Sequence, residues 1–167
     1  MVNNAAYTNI DAIKNSDNIY APFEKFSFQL WKKMLDVNLS GVFNCCKVFG
    51  SQMVKQRKGT IVNIASIYGI VGNDQRIYGN SKINSPVSYA AAKGGIITLT
   101  RYLAAYWHKK NIRVNTLTPG GILDKKYQNK KFIKKYSEKT ILGRMARSDE
   151  YNGALLFLMS DASSYMT

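Results

Sequence analysis

Ser66, Tyr89 and Lys93 are the residues of this chain whose types and spacing point to chemistry. Ser66 ends the β-branched run Thr60-Ile-Val-Asn-Ile-Ala65, which reads as a buried strand bounded by turn residues. Tyr89 and Lys93 stand four residues apart at the head of an apolar-striped segment, so a helix puts both on one face. In an open α/β sheet, ligands bind in the crevice at the carboxyl ends of the strands. A hydroxyl, a phenol and an ammonium gathered there suit proton transfer to or from an oxygen, which hydride transfer at an alcohol carbon requires. A free phenol, with a pKa of about 10, is a weak acid for work near neutrality. An ammonium roughly 4 Å away attracts the phenolate by about 4 kcal/mol at an effective dielectric near 20. Lys93 is therefore expected to lower the Tyr89 pKa.

A second pair, Tyr78-Gly-Asn-Ser-Lys82, has the same spacing and lies twelve residues beyond Ser66. Glycine and asparagine inside it disfavour a helix, whereas Ala-Ala-Ala between Tyr89 and Lys93 favours one. Tyr89 is the better acid/base candidate, and residues 73 to 86 read as an insertion beside the site.

Positioning these groups needs strands that feed helices. Val2-Asn3-Asn4-Ala5-Ala6 reads as the end of a strand, and residues 8 to 26 as loop. Ser27 is an N-cap for one helix reaching about Arg57, with Trp31, Leu35, Leu39, Val42, Cys46, Phe49 and Met53 as its stripe. Asn38 falls beside that stripe, where a polar amide needs partners. Gly59 is the expected C-cap. A loop over 67 to 88 carries Gly69, Gly72, Gly79 and Pro86. A second helix runs from Tyr89 to about Lys110, striped by Ile96, Leu99, Leu103 and Tyr106, and Asn111 ends it. Ile112 to Leu117 is the next strand, followed by the turn Thr118-Pro119-Gly120-Gly121. Residues 124 to 139 mix seven lysines with Tyr127, Phe132, Ile133 and Tyr136, as an amphipathic helix or a lid. Ser148-Asp149-Glu150 resembles a helix start before the apolar Ala154 to Met159. This alternation implies an α/β fold: a parallel sheet, right-handed crossovers and helices on both faces. Residues 1–167 read as one incomplete doubly wound domain, without its N-terminal strands and its last strand.

Composition narrows the function classes. With 46% hydrophobic and 12% aromatic residues, a packed core is expected rather than disorder. No apolar run approaches the length of a membrane span, and no signal peptide is evident after Met1. The two cysteines, Cys45 and Cys46, are adjacent, which disfavours a disulfide framework and suits a reducing cytoplasmic setting. One histidine, His108, makes a zinc site improbable, so no metal is expected. The formal charge of +14 suits an anionic partner or a solvated lysine-rich face. A nucleic-acid binder is suggested by charge alone and lacks the interleaved aromatic-basic motifs of known modules. Neither nucleic acid nor membrane is an expected partner.

Five segments in order resemble the short-chain dehydrogenase/reductase family, covering Asn3 to about Ala162. Asn3-Asn4-Ala5-Ala6 resembles its Asn-Asn-Ala-Gly motif. Val37-Asn38-Leu39-Ser40-Gly41 resembles the helix bearing its catalytic asparagine. Ile64-Ala65-Ser66 resembles its serine strand end, and Tyr89-Ala-Ala-Ala-Lys93-Gly-Gly its Tyr-x-x-x-Lys motif. Ile112-Arg-Val-Asn115 with Pro119-Gly120 resembles the strand and turn that flank the nicotinamide. The resemblance implies a Rossmann-like fold, NAD or NADP as cofactor, and an oxidoreductase acting on an alcohol or carbonyl substrate. It implies Tyr89 as acid/base, Lys93 as its electrostatic partner and ribose ligand, Ser66 on the substrate oxygen, and Asn38 anchoring a proton-relaying water. Asn4, Ala5, Ala6, Pro119, Gly120 and Ile122 are the other implied cofactor contacts. It also implies a homodimer or tetramer through the two long helices.

Departures from the pattern matter too. Ala6 replaces the motif's usual glycine, and Asp124 stands where a threonine often contacts the nicotinamide side. The glycine-rich phosphate loop and the residue that selects NAD or NADP are absent, as expected of a partial sequence of a longer enzyme. The lysine-rich segment lies where the family places its substrate lid, and seven lysines suit a phosphate or nucleotide-linked sugar. A weaker resemblance points to members that modify flagellin and surface sugars. A 3-oxoacyl-carrier-protein-type reductase is the main alternative, and a non-catalytic fragment is another.

Overall fold

The structure, a computed structural model, describes residues 1–8, 17–81 and 83–167. Three short strands build a parallel sheet in the order β1 (Val2–Asn3), β2 (Gly59–Ile64), β3 (Ile112–Leu117). Gly59 through Ile64 pair in register with Ile112 through Leu117, and Val2 pairs with Val62. The helices are α1 (Phe28–Leu35), α2 (Gly41–Gln56), α3 (Val87–Tyr106), α4 (Lys130–Ser137) and α5 (Asn152–Met159).

Alternation along the strands sends successive side chains to opposite faces. Ile61, Ala65, Ile112 and Val114 meet Val42 and Cys46 of α2 and Ile96, Ile97 and Leu103 of α3 in the main core. On the opposite face Arg113 reaches the other layer. Its guanidinium donates to the carbonyls of Leu158 and Ser160 and to Ser163 Oγ, at 2.9–3.1 Å. Helices therefore cover both faces, as the alternation implies. Among the described residues α5 buries none of its own.

The first helix is not continuous. Ser27 caps α1, accepting the Leu30 N–H, but Asp36–Ser40 is a π turn between α1 and α2. The extra residue shifts the buried face onto Leu30, Met34, Asn38, Val42, Cys46 and Gly50, spaced by fours, so Phe49 is left 54% exposed. Gly50 lets α2 approach the Trp107 ring. Gly59 opens β2 and is not the cap; Arg57 takes the left-handed cap position at φ 51°. The second helix starts two residues before the expected Tyr89 and stops at Tyr106, which is 65% exposed. Asn111 bridges it to β3 at φ 56°. Ser148-Asp149-Glu150 is a turn stapled by Arg144–Glu150 and Arg147–Asp149 ion pairs, and the helix begins at Asn152.

Candidate functional site

The carboxyl ends of the three strands converge. Asn4, Ala5 and Ala6 leave β1, Ser66 follows β2, and Pro119 and Gly120 follow β3. The second and third ends are tied together by Ala65 N–H to Leu117 O (2.8 Å) and Ile67 N–H to Pro119 O (3.2 Å). Tyr89 and Lys93 project from the first turns of α3, one turn apart on the face that meets β2. Gly69 is needed there, because a Cβ on it would stand 2.7 Å from the Lys93 carbonyl oxygen.

Ser66 is almost buried. Its Oγ accepts the Tyr68 N–H at 3.2 Å and lies beside the Tyr89 phenol. Lys93 is 4% exposed; its Nζ donates to Ile64 O at 2.6 Å and stands 5.6 Å from the centroid of the Tyr89 ring. Burial lowers the Lys93 ammonium to about 8. Burial also raises the Tyr89 phenol, and the neighbouring Ser66 hydroxyl offsets only part of that rise. This reverses the expected direction for Tyr89. The ammonium is anchored on a main-chain carbonyl and faces the ring, so desolvation of the phenolate outweighs its attraction.

Asn38 sits in the π turn and is 1% exposed. Its Oδ1 accepts the Tyr7 N–H at 2.5 Å and its Nδ2 donates to the Tyr7 carbonyl at 3.3 Å. π turns of this kind recur at functional sites. The amide thus clamps the chain that leaves β1. Ile122, two residues beyond Gly120, bridges Ala146; its carbonyl accepts from Gln128 Nε2, and it is 39% exposed. Asp124 folds back on its own turn, accepting the Lys126 N–H.

A cleft of about 640 Å³ opens over Tyr89. Aromatic rings dominate its walls: Tyr7, Tyr20, Tyr68, Tyr78, Tyr127 and Phe132, together with Tyr89 itself. Amides and hydroxyls of Asn80, Ser81, Ser85, Gln128 and Asn129 punctuate them. The 73–86 insertion is one wall and the lysine-rich segment another. Tyr78 stacks on Phe132 at 5.5 Å, and Lys139 pairs with Asp74 at 2.9 Å across them. Tyr78 ends a short 3-10 turn, Gln75–Tyr78, and does not open a helix; Lys82 lies outside the described residues. Of the seven lysines between 125 and 139, only Lys131 lines the cleft. Lys135 donates to the Arg76 carbonyl, Lys126 lies over the Tyr127 ring, and Lys139 is paired. Among the described residues no cluster of His, Cys, Asp or Glu is arranged to hold a metal ion, and no helix is long and apolar enough to cross a membrane.

Tyr68, Tyr136 and Tyr151 were not singled out as site residues from the pattern. Tyr68 lies two residues beyond Ser66. Tyr136 completes the apolar spacing Phe132, Ile133, Tyr136 that marks one face of α4. Tyr151 Oη accepts the Gly120 N–H at 3.1 Å, from a segment whose pattern carries no sign of the contact.

The nicotinamide end of a dinucleotide fits the strand ends. Lys93 has one N–H on the Ile64 carbonyl, which leaves the ammonium other donors for such a group. The sequence offers no glycine-rich loop for a pyrophosphate.

The family described as Enoyl-(Acyl carrier protein) reductase matches residues 1–167. The 3-oxoacyl-[acyl-carrier-protein] reductase FabG of Thermotoga maritima is 35% identical over 167 residues, covering 96% of this chain and 63% of that protein. A crystal structure of a short chain dehydrogenase from Leptospira borgpetersenii with bound NAD+ superposes with a TM-score of 0.82 at 36% identity, over 93% of this chain and 64% of that one. A gluconate 5-dehydrogenase from Burkholderia cenocepacia, in complex with NADP and tartrate, gives 0.82 at 28% identity, over 98% and 58%. The chain thus spans about three fifths of the length of these relatives.

Proposed function

Because the chain belongs to the short-chain dehydrogenase/reductase family, we propose that it supplies the proton-transfer and substrate-facing part of an NAD- or NADP-dependent oxidoreductase. The observation that carries this reading is the grouping of Ser66 and Tyr89 with buried Lys93, at the strand ends and under an aromatic cleft. The nicotinamide, when bound, gives or takes the hydride. Tyr89 keeps its proton near neutrality because burial raises the phenol, so it donates to the oxygen of a carbonyl being reduced. Ser66 holds that oxygen through its hydroxyl. Lys93 offers N–H donors to a ribose hydroxyl and sets the field at Tyr89. Asn38 fixes the Tyr7 main chain at the cleft wall and, as a second role, anchors a water that relays protons outward. Asn4, Ala5, Ala6, Pro119, Gly120 and Ile122 border the nicotinamide.

For substrate we favour a sugar phosphate or nucleotide-linked sugar of surface-glycan or flagellin modification. Aromatic faces alternating with amides suit a sugar ring, and Lys131, the one lysine of the segment at the cleft, suits a single anionic group. A 3-oxoacyl-carrier-protein-type reductase is the second reading, favoured by the likeness to the Thermotoga maritima enzyme and by the apolar Ile19, Met34, Ile77 and Ile83 in the lining. The setting is the cytoplasm, residues 1–167 being one incomplete cofactor-binding domain. The oligomer forms through α2 and α3, whose outward Phe43, Val48, Tyr102 and Tyr106 are exposed. The test is turnover by the full-length protein, followed as NADH or NADPH absorbance. Hexose phosphates, nucleotide-linked sugars and an acetoacetyl thioester are offered in turn. Turnover of either class fixes the substrate; turnover of none, with cofactor bound, favours the non-catalytic alternative.

A further inference from the structure

The turn after β3 contains two successive glycines, Gly120 and Gly121, which bring no side chains to pack and leave the main chain permissive. Main-chain bonds hold the two ends of this turn. Before it, Ala65 N–H donates to Leu117 O at 2.8 Å; beyond it, Ala146 N–H donates to Gly121 O at 3.0 Å and Leu123 N–H to Ala146 O at 2.8 Å. Between those ends, one peptide unit, Pro119–Gly120, is bonded on both sides. Its carbonyl accepts the Ile67 N–H at 3.2 Å, from the residue next to Ser66, and its N–H donates to Tyr151 Oη at 3.1 Å. The second partner is a side chain 31 residues further along the chain, on the residue just before α5. Its neighbours hold it in place. The Glu150 carboxylate takes the Arg144 guanidinium through both oxygens at 2.6 Å, and its Oε2 also accepts the Arg147 N–H at 2.8 Å. One loop thus meets the turn twice, through the main chain of Ala146 and the phenol of Tyr151. Packing the Tyr151 ring does not require the hydroxyl.

We propose that Tyr151 is a positioning residue for hydride transfer: its hydroxyl orients the Pro119–Gly120 peptide, and with it the turn, against the segment that carries Ser66. This rests on the reaction proposed above, in which Pro119 and Gly120 border the nicotinamide and Ser66 holds the substrate oxygen. A peptide unit is planar, so its N–H and C=O tilt together. Freeing the N–H lets the plane tilt and loosens the Ile67 bond on its other side. The spacing between the nicotinamide and the substrate oxygen is then less well fixed. Misplacement by about 1 Å costs on the order of 10²-fold in rate, so a displacement of about half that costs about tenfold.

Tyr151→Phe in the full-length protein removes the hydroxyl and keeps the ring. The expected result is a kcat lower by about tenfold, with the substrate KM little changed. The primary isotope effect from deuterated NAD(P)H should be larger. Amide exchange at Gly120 and Ile67, measured without substrate, should be faster. An unchanged kcat and isotope effect overturns the proposal, whatever the exchange. A lower kcat with unchanged exchange overturns it too, because the loss then comes by another route. If the wild-type protein turns over nothing, the reading of the reaction fails. The exchange comparison still decides whether the phenol holds the peptide: faster exchange in the variant supports that, and unchanged exchange overturns it.

Discussion

Replacing Lys93 by methionine should remove a specific pH dependence from the stability of the full-length protein. Lys93 is 4% exposed, and burial lowers it from the ordinary 10.5 to about 8. Each pKa unit is worth 1.36 kcal/mol, so the native state pays about 3 kcal/mol to hold the ammonium at low pH. Below pH 8 the group is charged both folded and unfolded, and the whole cost applies. Between pH 8 and 10.5 the folded chain has lost the proton while the unfolded chain still binds it, so stability rises with pH. Above 10.5 both forms are neutral and the cost is gone. From pH 7 to pH 10 the wild type should gain about 2.5 kcal/mol from this group alone. The variant lacks that gain. It also loses the 2.6 Å bond to Ile64 O, a charged-donor bond worth about 1.5–3 kcal/mol. The variant should therefore be close to the wild type in stability at pH 7 and clearly less stable at pH 10. Urea unfolding of the cofactor-free protein, followed by far-ultraviolet circular dichroism at fixed protein concentration, measures both. Parallel stability–pH curves for the two proteins would refute the reasoning, because Lys93 would then titrate at its ordinary value.

Tyr89→Phe should abolish turnover, by about 10³-fold or more, whereas Tyr78→Phe should alter substrate KM and leave kcat within a few-fold. Steady-state kinetics on both variants decides between the two Tyr-x-x-x-Lys pairs, and loss in Tyr78→Phe alone would reverse the assignment. Because burial raises the Tyr89 phenol, carbonyl reduction should run at neutral pH, and alcohol oxidation, which needs the phenolate, should climb as pH rises towards and beyond 10; pH profiles in the two directions test this. Gly50→Ala forces a methyl into the Trp107 ring and should cost about 1–3 kcal/mol, read as a lower Tm. Asn38→Ala removes two hydrogen bonds to the Tyr7 main chain and should cost about 1–3 kcal/mol; an unchanged Tm would show that the π turn holds without the clamp.

Local pattern carried most of the architecture. The β-branched runs at 59–64 and 112–117, the Ala-rich spacing of Tyr89 and Lys93, and the Ser27 cap are decided by propensities that act within a few residues. So is the α-helix under Tyr89 and not under Tyr78, since glycine and asparagine disfavour one there. Where the pattern misled, a distant contact overrode it. Asn38 faces inward with main-chain partners, as its place beside the stripe implies, but the π turn that carries it is one that periodicity at 3.6 does not register. The seven lysines of 125–139 read as suited to a phosphate or nucleotide-linked sugar, yet Asp74 and the Arg76 carbonyl claim two of them. The sign of the Tyr89 shift was out of reach for a related reason. Spacing puts Lys93 one turn from Tyr89, but the Ile64 carbonyl fixes where the ammonium goes, and burial fixes the cost of charging the phenol. The bond from the Gly120 N–H to Tyr151 Oη belongs to the same class. Residue types and short spacings select strands, helices and their order because those depend on local sterics. Partners, burial and charge depend on which distant groups share one small volume, and only the folded chain sets that.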